Sequence, residues 1–298
     1  MTAPTAPTLV TITTEAIKKA GYTSTSSSQY ATLLARAQSD WIEEVKWDIW
    51  NVCKKLTALQ KINLQEITKG KSIYPLPADF SSHISITLLD GDTTGTAQAG
   101  GATSITLAAN DASTSAVIGK EIVTTGGTGP NQINQITAID TTTKVVTVAY
   151  TWATNPASGT TYRIVDYYYS LTEAPVWDYD KRSMAHTLVR PEYYHIKGDN
   201  DNGEIIIDTP DDSYSLKIRY YADLLRIDLD SATDPTITQI YRRYRNVLTQ
   251  GVFVKCLQFQ DDARYKMEAN IYGNLLQALQ ARESYGMDLS NLIMSVSD

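Results

Sequence analysis

The chain has 298 residues, with 26 Lys+Arg against 33 Asp+Glu and a formal net charge of −7. That acidity excludes the broad basic footprint by which proteins grip phosphate backbones, while 42% hydrophobic and 20% charged residues describe an ordinary globular chain. No apolar run approaches the roughly 18 residues of a membrane span, and no basic segment followed by an apolar one opens the chain, so a soluble protein kept in the cytoplasm of synthesis is expected. Cys53 and Cys256 have apolar flanks and read as small hydrophobes, not as disulfide partners or metal ligands. Nineteen tyrosines against three phenylalanines favour packed but partly wet surfaces, as at subunit contacts.

In chain order, Thr11 to Ala20 predicts a short helix closed by Gly21, and Ser26 to Ser28 supply N-caps for a much longer one. Its apolar stripe, from Tyr30 through Leu33, Ala37, Trp41, Val45 and Ile49 to Leu56 and Leu59, recurs at helical steps. Trp47 and Trp50 fall off this stripe and need cover from another element of the chain or from a neighbouring subunit. From Lys61 the period drops to two. Residues 62–67 and 73–77 predict a short hairpin about Lys69-Gly70-Lys71, followed by a strand at 84–88.

Residues 91–162 are rich in Thr, Ala and Gly and carry few charges. Strands at 104–107, 121–124, 132–139, 144–149 and 161–165 predict a small barrel or sandwich inserted between two parts of a body at 1–90 and 163–298. Strands at 190–196, 204–208 and 214–221 then predict a β-meander, and stripes at 237–259 and 265–279 predict helices, with Gly286 as terminator. The fold class expected is α+β: a helical bundle with long helices plus an antiparallel β-meander, carrying an inserted all-β module.

The sequence carries little chemistry. Residues 199–204 superficially resemble a calcium loop, but the glycine comes one position early and the closing glutamate position is Pro210. His83, His186 and His195 have no companions at zinc-ligand spacing. Gly126-Gly127-Thr128-Gly129 lacks the Lys-Ser/Thr and following helix of a phosphate loop, and no Gly-x-Ser-x-Gly elbow presents a nucleophile. Asp178 with Asp180, or Glu43 with Glu44, offers paired acids only if a cleft separates them properly. On a helix Arg242 and Arg245 share a face while Arg243 diverges, which suits ion pairing better than a phosphate clamp. No catalytic residue, metal or cofactor is assigned.

Tyr74-Pro75-Leu76-Pro77-Ala78-Asp79-Phe80, Arg190-Pro191-Glu192-Tyr193-Tyr194-His195-Ile196, Gly203 to Pro210 and Leu216-Lys217-Ile218-Arg219-Tyr220-Tyr221 precede a Tyr- and Ala-containing helical hairpin. In that order they resemble the head-to-tail adaptor (connector) proteins of short-tailed bacteriophages. The resemblance implies a virion structural protein and not an enzyme: a ring, typically of twelve subunits, that joins the portal protein to the tail nozzle or tube. Genomic DNA would pass through its channel without specific binding, and no membrane is involved. Trp47 and Trp50 are then candidate subunit-interface anchors. The apolar terminus, Met287, Leu289, Leu292, Ile293, Met294 and Val296, is the candidate portal-docking segment. The inserted module is outside the resemblance, which leaves a carbohydrate- or receptor-binding tail component and a peptidoglycan hydrolase as the competing expectations.

Overall fold

A computed structural model describes residues 8–91, 93–175, 188–198, 202–229 and 235–294, with the backbone alone at 235 and 285–294. The chain divides into two compact units, Met1–Gln60 with Tyr221–Asp298, and Lys61–Tyr220.

The first unit is helical. Helix α1 (Leu9–Lys19) starts where the Thr8 side chain accepts the Thr11 N–H, and it buries Ile12, Ala16 and Ile17. Gly21, at φ 107°, turns the chain where a side chain would be strained. Helix α2 (Ser28–Arg36), capped by Ser27, passes through a π turn (Ala37–Trp41) into α3 (Ile42–Val52). The apolar steps 37, 41, 45 and 49 are each four residues, and each overshoots an α-helical turn by about 40°. A π turn absorbs an extra residue, and beyond it the buried face takes in Ile42, Lys46 and Trp50 as well. The helix ends at Val52, short of the expected Leu59, because Cys53 is extended. Helix α4 (Pro235–Phe259) and α5 (Tyr265–Met294) form a hairpin through Asp261, which takes a left-handed φ of 54°. Helix α4 packs on α1, α3 and α5. Its approach to α3 is close at Gly251, where an added Cβ would lie 2.7 Å from Val45 Cγ2.

The second unit is built from sheets. Strands β1 (Gln60–Ile67), β3 (Phe80–Asp90), β11 (Tyr167–Ser170) and β15 (Tyr214–Ala222) make one sheet in the order β1-β15-β3-β11. Strands β2 (Ile73–Pro75), β12 (Thr172–Glu173), β13 (Tyr193–Lys197) and β14 (Glu204–Ile207) make another, in the order β12-β13-β14-β2. The third has seven strands: β4 (Thr93–Thr96), β5 (Ala99–Gly101), β6 (Ser104–Thr106), β7 (Glu121–Gly126), β8 (Gln132–Asp140), β9 (Val145–Val148) and β10 (Thr161–Val165). Its core contains Ile105, Leu107, Ile122, Ile136, Val146, Trp152 and Tyr162. The 91–162 stretch and these seven strands nearly coincide, and all of it lies within the second unit. Asp166 N–H donates to the Asp90 carbonyl at 2.7 Å, so the chain enters and leaves this sheet as a paired ribbon. Gly91 is required there, since a Cβ would sit 1.9 Å from the Ile164 carbonyl oxygen.

The expected fold class is overturned. Among the described residues the chain is mostly β, with fifteen strands in three sheets and 35% helix, and not a helical bundle with long helices. The expected meander is also absent: β13 and β14 pair as a hairpin, but β15 leaves them to lie between β1 and β3. Almost every β15 residue is buried, and a strand covered on both faces belongs inside a sheet. Nor do β1 and β2 form a hairpin, because they join different sheets.

Candidate functional site

Among the described residues no group of three or more His, Cys, Asp or Glu side chains is placed to hold a metal ion. His83 Nε2 stands 3.6 Å from a Glu173 carboxylate oxygen and meets the Tyr194 ring edge-on, while His195 Nδ1 lies 3.3 Å from the Ala174 carbonyl. His186, Asp178, Asp180 and residues 199–201 of the calcium-like loop lie outside the described residues. Glu43 and Glu44 do not work as a pair: Glu43 accepts from Lys46 at 2.9 Å, and Glu44 pairs with Lys255 at 2.8 Å. Both cysteines are free and buried. Burial raises the Cys53 thiol and pushes the Cys256 thiol up to about 11, far from the reactive thiolate range. Arg245 pairs with Glu15, and Gly127 and Gly129 take the positive φ values of a turn.

What the helical unit offers instead is apolar surface. Trp47 is 55% exposed and Trp50 only 8%. The two candidate anchors are thus separated: Trp50 belongs to the chain's own core, and Trp47 stands at the surface. Phe259, Met267 and Ile271 are also exposed, and Met267 and Ile271 share one face of α5 at i, i+4 spacing. The Arg36 guanidinium lies 4.4 Å from the Phe259 ring centre, with Trp41 tilted against the same ring. The sequence placed Phe259 at the end of the apolar stripe from Ile237, but that ring is half exposed; the α5 pair was not singled out, although positions 267 and 271 fall off the helical stripe that buries Tyr272 and Leu279.

The docking candidates Met287, Leu289, Leu292, Ile293 and Met294 all fall on α5, which runs unbroken past Gly286 to Met294. The expected terminator is therefore an interior glycine, a cost of only about 1 kcal/mol against alanine. Val296 lies outside the described residues.

In the second unit, strand alternation puts the Tyr167 and Tyr169 rings on one side of β11, stacked with centres 6.2 Å apart. The Arg190 guanidinium sits 4.0 Å from the Tyr169 ring centre, and Tyr167 and Tyr168 are both at least half exposed. No described helix is long and apolar enough to cross a membrane. No protein-family model matches the chain, and no curated protein matches it either.

Proposed function

We propose that the chain is a structural protein that assembles with copies of itself into a ring of about twelve subunits, as an adaptor between a phage portal and the tail nozzle or tube. The observation that carries this reading is convergence. Three of the segments that resemble phage adaptors meet in one sheet: 190–196 and 203–210 supply the hairpin of β13 and β14, and 74–80, more than a hundred residues earlier, begins on β2, which pairs with β14. A fourth supplies β15, and the helical hairpin that follows them in the resemblance is α4 with α5. Trp47, Phe259, Met267 and Ile271 are exposed apolar side chains suited to contacts between copies. The net charge of −7 suits a wall past which DNA must slide, since like charge denies phosphates any counterion-releasing contact.

The test is the particle mass of the purified chain, alone and mixed with DNA-filled heads bearing the portal, followed by imaging of the portal vertex. A closed ring seated on the portal is expected. A chain that stays monomeric and leaves the heads undecorated at every concentration rejects the reading.

A further inference from the structure

Strand β4 stands at one end of the seven-stranded sheet and pairs with β10, Thr94 opposite Arg163 and Thr96 opposite Thr161. Alternation sends Tyr162 and Ile164 into the core and leaves Thr94, Thr96, Thr161 and Arg163 on the other face. There they line an open groove of about 410 Å³ together with Thr125 and Glu66. Thr125 donates its hydroxyl to Thr161 Oγ1 at 2.8 Å.

Arg163 is the unusual member. Its side chain is only 8% exposed, yet its nearest ion-pair contact, Glu66 Oε2, is 3.7 Å away, beyond hydrogen-bond reach. Its Nη1 reaches the Gly91 carbonyl at 3.4 Å, and its Nε has no partner. A buried guanidinium without close acceptors is costly to maintain, so donor capacity is left unspent beside the groove. Across from it, Glu66 accepts from Ser215 at 2.8 Å. Burial raises the Glu66 carboxyl, against the pull of Ser215 and Arg163.

The lining selects its ligand by chemistry. Gly95 and Tyr162 complete the lining, but Tyr162 is only 1% exposed and offers no broad face to a flat cofactor, while the one cation and one anion cancel, so a phosphate finds no net attraction. Hydroxyl groups, a carboxylate and a guanidinium side by side match a neutral molecule that both donates and accepts along its length. The volume lies within the range of small-ligand pockets, roughly 300 to 1,000 Å³, and accommodates one or two sugar rings. We propose that this groove is a binding subsite for a neutral saccharide, independent of ring assembly.

The test uses the full chain with isotope-labelled backbone amides, titrated separately with glucose, galactose, mannose and N-acetylglucosamine, and with inorganic phosphate. At least one sugar should shift the amides of residues 94–96 and 161–163 saturably. The double variant Thr94→Val, Thr96→Val places strand-favouring residues on an exposed strand, so its fold should persist while sugar affinity falls about tenfold. Its assembly state should not change. The proposal is overturned if none of the four sugars gives a saturable shift, if the double variant binds as tightly as the parent, or if phosphate saturates the groove and the sugars do not.

Discussion

Tyr162 is 1% exposed and is held at both ends of its hydroxyl: it donates to Asp111 Oδ2 at 2.5 Å and accepts the Ala108 N–H at 3.0 Å. Burial pushes the Asp111 carboxyl up, but hydrogen bonds from Ser113 and Tyr162 outweigh it and leave the pKa below the usual 3.8. A carboxylate depressed on folding adds stability above its unfolded pKa and loses it as pH falls through the folded value. Tyr162→Phe should therefore cost about 1 to 3 kcal/mol at neutral pH, with the gap to the parent narrowing below about pH 4. Amide exchange of the seven-stranded sheet in urea reads this directly; a gap equally wide at pH 3 would show that Asp111 is not the responsible group. The two tryptophans make the complementary case. Trp50→Ala should cost roughly 3 to 5 kcal/mol of fold stability, as buried tryptophans do. Trp47→Ala should leave the monomer within about 0.5 kcal/mol of the parent but lower the particle mass. A Trp47→Ala chain that assembles undiminished removes that residue from the interface.

Among the elements, the ribbon at Asp90 and Asp166 marks where the seven-stranded sheet attaches, yet that sheet does not merely hang from it. Val123 and Val165 pack with Leu64 and Leu89 of the neighbouring sheet, and Lys217 stands 3.6 Å from Glu121 across the same junction. A deletion of 91–162, the boundary suggested by composition, would strand the end of β10 and uncover both leucines. Removing 91–165 and joining Asp90 to Asp166 is the cleaner cut, and it should still destabilise the remainder by about 3 to 6 kcal/mol through the exposed Leu64 and Leu89. The excised segment, with its own core around Ile105, Ile136 and Trp152, should give the dispersed amide spectrum of a folded domain. An unfolded excised segment, or a remainder as stable as the parent, would contradict this account of the junction. The same elements show what was legible in sequence. Helices α4 and α5 announce themselves by long apolar periodicity. Strands β4 and β5, Thr-Thr-Gly-Thr and Ala-Gly-Gly, carry no alternation to read, and the sheet joined by β15 is a non-local choice. Arg163 was visible only as a strand residue, because its approach to Glu66 joins strands far apart in sequence.

For the molecule as a whole, the decisive question is which part of it reaches another protein, and α5 frames that question. Its last described side-chain anchor is Glu283, 6% exposed, which accepts the Thr57 N–H at 2.8 Å and the Thr57 hydroxyl at 2.6 Å. Burial raises the Glu283 carboxyl, but the two bonds from Thr57, with Arg282 and Tyr244, bring it below its ordinary value. This is a charged group well satisfied on the same buried face as Tyr272 and Leu279, seven and then four residues along the helix. Beyond it the backbone remains helical to Met294, and the sequence supplies Met287, Leu289, Leu292, Ile293 and Met294, with Val296 after them. An apolar helical end is the form in which chains enter grooves on partners, and methionine adapts to irregular ones. Burying four or five such side chains would contribute about 1.5 to 3 kcal/mol each before ordering costs, and in the proposed assembly a ring would repeat that attachment around the portal. A chain ended at Tyr285 keeps Leu279 and Glu283, so its unfolding should match the parent within about 0.5 kcal/mol, while its occupancy on portal-bearing heads should fall to background. Undiminished occupancy would move docking to another element, and loss of the fold would return these residues to the chain's own core.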